Sequence, residues 1–245
     1  MKSLISFSVI LLTWEVFATG FIPPVSQIFL TFIELTFNGN FMINVLVSLQ
    51  RLGIGWLFGM VIGTTLGIGL ALNRHLKDFT MPVISALFPI PKVALLPLFL
   101  VLFGLGEEGK IVTIFIGSFF PSVITAYGCV IRTPSSLYDA SYSLGIRSTY
   151  SVVRLIVLPY NLPIIIQGFR TSLSLSMTLL VSAEMLGAQQ GLGYWIFMTG
   201  SDLIFDQMFA GLIYLSLIGV LANYLINWMR HTICYWSIIE ENRIN

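Results

Sequence analysis

Charge is scarce in this chain. Asp, Glu, Lys and Arg make up 9% of its 245 residues, against 56% that are hydrophobic. The mean hydropathy of +0.91 lies outside the range of water-soluble globular domains, so the composition is that of an integral membrane protein. A formal net charge of +1 points to neither a nucleic-acid nor an acidic partner; with so few charges, their positions matter more than their sum. Cysteine is scarcer still. Cys129 and Cys234 stand far apart without metal-ligand spacing, which excludes a disulfide framework and a metal set and predicts two thiols. The two histidines, His75 and His231, have no partner at the spacing that metal binding or nucleophilic catalysis needs. No catalytic constellation appears, and a membrane enzyme is excluded with it.

One stretch imitates an enzyme. GLGEEGKI, Gly104 to Ile111, nearly spells the phosphate-binding loop GxxxxGK[ST]. Such a loop needs a buried strand before it, a soluble helix after it, and a Ser or Thr behind the lysine to ligate magnesium. Here Ile111 takes that last place, and Glu107 and Glu108 stand where backbone amides would cradle phosphate. Long apolar runs flank the stretch on both sides, so it is a loop between membrane spans.

Crossing the hydrocarbon takes about 20 apolar residues. The sequence predicts six spans, at 4 to 22, 43 to 72, 83 to 103, 111 to 131, 161 to 186 and 207 to 229. Pro23 and Pro24 follow the first, and VSQIFLTFIEL then reads as a helix lying on the membrane surface. The first run also resembles a secretory signal, with Lys2 before it and Ala18, Thr19 and Gly20 behind it. Trp14 and Glu15 interrupt it before the cleavage position, and its loss would leave an odd number of crossings, so a retained span is expected.

Orientation follows from the cations. With the N-terminus inside, Lys2, Arg74, Lys77, Arg132, Arg147, Arg154, Arg230 and Arg243 are cytoplasmic and Lys110 is outside, while the outer loops carry Glu34, Glu107, Glu108, Asp202 and Asp206. Both termini and residues 132 to 160 are then cytoplasmic.

Within the second span, Gly55, Gly59, Gly63 and Gly67 recur at a spacing of four. That puts them along one ridge, where another helix backbone can approach closely, either in this chain's own bundle or across a dimer. The segment TPSSLYDASYSLGIRSTYSVVRLIVLPYNLP, residues 133 to 163, with the coupling part at 133 to 160, reads as two short helices with a glycine corner. Thr133 is expected to cap the first, with Pro134 as its first residue and Gly145 as a left-handed stop. Ser148 is expected to cap the second, which runs until Pro159 and Pro163 break it before the fifth span. Small Ala140, Ser141 and Ser143 would let this lever sit in a partner's groove, with Tyr138 and Tyr142 as anchors; the alternative is a mere connector.

Asp139-Ala140-Ser141, then Gly145, then Leu158-Pro159, resembles the EAA motif of binding-protein-dependent ABC transporter permeases. PIPKVALLPLFLVLFGLGE (89 to 107) and AEMLGAQQGLGYWI (183 to 196) resemble the importer subgroup for nitrate, sulfonates, taurine and thiamine precursors. The resemblance covers nearly the whole chain. It implies an all-α type I importer permease fold, one permease domain over residues 1 to 245, in a bacterial-type inner membrane. It also implies that the segment from Tyr138 through Asp139, Ala140, Ser141, Tyr142, Ser143 and Leu144 to Gly145 couples to a cytoplasmic ATPase. That ATPase would be a pair of separate subunits holding ATP and magnesium, so this chain would bind no cofactor. A second permease copy, most simply an identical one, and an extracytoplasmic solute-binding protein complete the implied assembly. The motif is departed from at three points: Asp139 replaces Glu, Ser141 replaces Ala, and the gap from Gly145 to Pro159 is one residue longer than the family's. One residue turns a helix by about 100°, so the second helix is phased differently or contains a bulge.

Charges inside a membrane are costly enough that each marks a pathway or a pairing. Arg51 lies about 12 Å down the second span, Arg170 about 13 Å up the fifth, Glu184 near the outer end of the fifth, and Lys92 in the inner third of the third. Arg51 and Glu184 match in depth. The rest snorkel, pair, or face the path, where a cation would suit an anionic cargo. The outer loop LGAQQGLG, 186 to 193, reads either as a re-entrant gate or as a surface turn. A six-span secondary transporter or channel remains the rival class; it would have no use for the lever.

Overall fold

The computed structural model describes residues 2–19 and 21–236, apart from the side chains of residues 2–5 and 7. Gly20, Arg243 and the Lys2 side chain therefore lie outside the described residues. The described chain is helical, with one isolated bridge between Thr19 and Ile22. In chain order the helices are α1 (Lys2–Val16), α2 (Val25–Thr36), α3 (Gly39–Leu72), α4 (Arg74–Leu87), α5 (Leu96–Phe103), α6 (Glu107–Ile131) and α7 (Ser135–Ser143). They are followed by α8 (Thr149–Val152), α9 (Leu158–Gly187), α10 (Leu192–Ser201) and α11 (Phe205–Ile233).

Among the described residues, four runs are long and apolar enough to cross a membrane: α3, α6, the continuous stretch Thr149–Gly187, and α11. The expected third span is different. It is split into α4 and the Lys92–Phe103 segment, which meet at 89°. Pro89 and Pro91 cause the break, since each lacks an N–H and pushes the residue before it out of the helical region. The expected first span is also shorter than read: α1 has 15 residues, a rise of about 22 Å against a hydrocarbon core of about 30 Å. It docks beside α2 and α11, where Trp14 donates to the Pro23 carbonyl at 3.2 Å and meets the Phe209 ring edge-on at 5.6 Å. The Glu15 carboxylate accepts from both the backbone N–H and the hydroxyl of Ser26 at the start of α2.

The centre of the bundle is α6, packed between α3 and α9. The four glycines of α3 make one side of that packing possible. A β-carbon at Gly55 would stand 2.7 Å from Cβ of Ile114, and one at Gly63 2.6 Å from the Phe119 carbonyl. At Gly59 and Gly67 it would run into Ser118 and the Val123 carbonyl. The ridge thus faces this chain's own α6. On the other side, Ser176 of α9 donates to the Ile114 carbonyl at 3.1 Å, and Trp56 of α3 reaches Ser172 of α9 at 3.0 Å. Buried small residues and backbone-directed hydroxyls are how helices associate where lipid removes the hydrophobic drive.

Pro159 and Pro163 do not break the fifth span. Between α8 and α9, residues Val153–Val157 form a π-helical turn, in which the Leu158 N–H bonds the Val153 carbonyl five residues back. Such a turn holds one residue more than an α-turn. It lies between Gly145 and Pro159, the stretch for which the resemblance implies a differently phased or bulged helix. The helix therefore bulges instead of ending.

Candidate functional site

Two polar or exposed features stand at opposite ends of the bundle. The first is the short helix α7, beyond the ends of α3 and α6. Its start differs from expectation, because Thr133 does not cap it. Buried Thr133 receives the Asn161 side-chain amide at 2.7 Å, so a tertiary partner holds the hydroxyl and Pro134 takes the cap position. Ser148 does take the cap position of α8, without a side-chain cap bond. The end of α7 is sharply made. Gly145 has φ +80, its N–H bonds the Tyr142 carbonyl at 3.0 Å, and the Ile146 N–H reaches back to the Ser141 carbonyl at 2.9 Å. That pair of bonds is the Schellman closure, which needs a left-handed residue and therefore favours glycine.

The helix has two faces. Tyr138 packs with Ile68, Ala71, Val130, Ile146, Val152 and Val157, and Ser141 is fully buried, donating to the Tyr138 carbonyl at 2.7 Å. Buried Ser141 is therefore not free to fill a partner's groove, while Tyr138 is half-buried against its own chain. Asp139, Ala140, Tyr142, Ser143, Leu144 and Gly145 are exposed. Leu144 is 77% and Tyr142 60% accessible, at a helix tip with no apolar cover among the described residues.

The second feature lies at the other end, where α3, α6, α9 and the turn before α10 converge. Arg51 is 3% exposed. Its Nε and Nη2 donate to the two carboxylate oxygens of Glu107 at 2.6 Å each. Its Nη1 donates to Glu184 Oε1 at 2.8 Å and to the Gln190 carbonyl at 2.6 Å. Glu184 is fully buried and well supplied, since both its oxygens accept from the Ser48 hydroxyl and one accepts from the Gly193 N–H at 2.8 Å. The Asn44 side chain takes the Gly191 N–H at 2.7 Å and the Ser48 hydroxyl oxygen takes the Leu192 N–H at 2.7 Å. Three α3 and α9 side chains thereby cap the first amides of α10, and the Glu184 charge lies at that helix's positive end.

This explains the loop at residues 186 to 193. Gly191 has φ +129, and a β-carbon there would strike the Glu184 carboxylate. Residues 188–191 form a tight turn tied down on Arg51 and Asn44, and α10, ten residues long, packs against α3, α9 and α11. Counting along the spans puts Arg51 and Glu184 at one depth, but the sequence does not mark Glu107, Asn44, Ser48 and Gly193 as their partners.

The remaining intramembrane cations are held elsewhere. Lys92 Nζ donates to the Leu87 carbonyl at 3.3 Å and to the Phe88 carbonyl, and lies 4.9 Å from the Phe88 ring centroid. It closes the open end of α4. Arg170 Nε donates to Asn223 Oδ1 of α11 at 3.3 Å.

Comparison with known proteins agrees with this geometry. Residues 59–233 match the family model described as binding-protein-dependent transport system inner membrane component. SsuC of Bacillus subtilis, named for aliphatic sulfonates transport, is 29% identical over 96% of this chain and 87% of its own length. The taurine transport system permease protein TauC of Escherichia coli is 28% identical, covering 94% of this chain and 88% of its own. Among solved structures, a chain of the MetNI methionine ABC transporter superposes with a TM-score of 0.65 at 22% identity, covering 78% of this chain and 94% of that one. The four long spans, the broken third and the family match together make this chain a member of the binding-protein-dependent inner-membrane transport components, the permeases of ABC importers.

Proposed function

We propose that this permease carries a small sulfonate inward, driven by a pair of separate ATPase subunits that grip the exposed face of α7. The observation that carries the coupling is the division of α7 itself. Tyr138 and Ser141 fix the helix to the inner ends of the spans, while Asp139, Ala140, Tyr142, Ser143 and Leu144 are left for a cleft on another protein. A force applied to that face passes through Tyr138 and Val152 into the base of α9. Two ATPases closing on ATP would draw two such helices together and rock two permease copies about the path between them. ATP and magnesium would sit on the ATPases, and this chain would bind neither. The cation bias supports a cytoplasmic α7 and an outward-facing Arg51 cluster, where a solute-binding protein would deliver its cargo. The ATP-driven shift needs a difference in affinity between the two states, which the ATPase pair supplies. Sulfonate is chosen as cargo because SsuC and TauC carry sulfonate-related names and because buried cations line the outer end.

The test is to purify this chain in lipid and score co-purified ATPase for the intact protein and for Gly145→Pro and Asp139→Lys. Proline cannot adopt the φ of +80 held by Gly145, so the tip of α7 is lost. ATPase activity is expected with the intact chain and release or uncoupling with both variants. Solute passage with no ATPase present would make the chain a secondary transporter and α7 a connector.

A further inference from the structure

The Arg51 cluster is unevenly buried. The side chains of Arg51 and Lys110 are 4% and 5% exposed, yet that of Glu107, which joins them, is 59% exposed. A cavity of 510 Å³ opens beside the three, bounded by Gly106 and by Gln189 and Gln190. A second of 300 Å³ shares Arg51, Glu107 and Gln190. The donors are not all used. Lys110 Nζ has three N–H groups and makes one bond, to Glu107 Oε1 at 3.2 Å; one N–H of Arg51 Nη2 is likewise unspent.

The geometry points to an oxyanion site in these cavities, with Glu107 as a resident stand-in that an incoming sulfonate displaces. The Arg51 fork presents two parallel donors, Nε and Nη2, a geometry that suits a carboxylate or a sulfonate equally. A sulfonate has a third oxygen, which the unspent N–H groups of the Lys110 ammonium can take. Glu184 does not exchange, because it is fully buried and bonded to Ser48, Arg51 and Gly193. Glu107 can leave, because its carboxylate reaches solvent and sits in the first turn of α6. With Glu107 swung out, Arg51 and Lys110 face Glu184 alone, and the uncompensated positive charge is that of one monoanion. The choice of sulfonate rests on the import reading above; the charge and the cavity do not.

The experiment uses the complex purified with this chain and reads its thermal midpoint against methanesulfonate, with dimethyl sulfone as the uncharged isostere at constant ionic strength. A ligand of the folded state raises the midpoint saturably. Methanesulfonate is expected to do so and dimethyl sulfone not. Glu107→Gln is expected to lower the half-saturating concentration by about tenfold, since the internal competitor is gone, and Lys110→Gln to abolish the response. An absent response in the wild type, an unchanged half-saturation in Glu107→Gln, or a full response in Lys110→Gln overturns the site. If a variant does not fold, the wild-type titration against dimethyl sulfone decides alone. Co-purified ATPase is scored in the same preparation. ATPase without a methanesulfonate response removes this site and leaves the permease reading; a response without ATPase does the reverse.

Discussion

Glu184 is the residue on which the Arg51 cluster depends. A carboxylate with no solvent access persists only with a paired charge and full hydrogen bonding, and Arg51 supplies the charge. Arg51→Met should therefore cost about 3–5 kcal/mol, the expense of an uncompensated buried charge. Adding Glu184→Gln to Arg51→Met should restore roughly 2 kcal/mol, because the charge goes while an oxygen remains for the Gly193 N–H. Unfolding of Arg51→Met, Glu184→Gln and the double variant in detergent checks this; strictly additive losses would mean that the pair is not coupled. The pair was legible because depth along two spans can be counted from the sequence. Glu107 was not, although it stands in a conspicuous motif, because a residue outside a span has no depth to count. Asn44 and Ser48 were missed for another reason: an amide and a hydroxyl inside an apolar helix read as incidental until the amides they cap are seen.

The α3 ridge allows a control within one helix. Gly59 has no room for a β-carbon, whereas Gly53 and Gly69 have nothing within 4 Å. Gly59→Ala is expected to destabilise by about 1–3 kcal/mol through overpacking. Gly53→Ala should be neutral or stabilising by up to about 1 kcal/mol, the helix-propensity gain over glycine. Equal effects on the thermal midpoint would remove the ridge from the packing of α3 on α6. Spacing alone showed the ridge; what it faced could not be read, because a glycine face suits an internal neighbour and a second copy alike. For α7 the sequence indicated the glycine stop but not the division of faces. Tyr138 and Ser141 stand three residues apart on one side of the helix, a signal that could have marked them as the inward pair. The prolines misled because a wide turn before them makes room that a regular α-helix lacks.

At the scale of the molecule, hydropathy located the four uninterrupted spans to within a few residues at most ends. It failed at the third because an average over a window does not register that Pro89 and Pro91 remove two donors. The cation bias makes a prediction about the whole chain. With the buried Cys129 and Cys234 replaced by serine, a cysteine at exposed Ser136 should react with a membrane-impermeant reagent from the cytoplasmic side alone, and one at exposed Glu108 from the outside alone. Labelling in the opposite sense would invert the topology. The π-turn at Val153–Val157 has a consequence for how such a chain varies over generations. An insertion in the middle of a helical strut would rotate everything beyond it by about 100° and set the polar groups of α9 against lipid. A wide turn takes up the surplus residue on the spot, so the lever and the span it drives can differ by one residue in length between descendants while each keeps its own face. Of the long spans, the one attached to α7 is where a single-residue gain or loss would leave the rest of the fold in register.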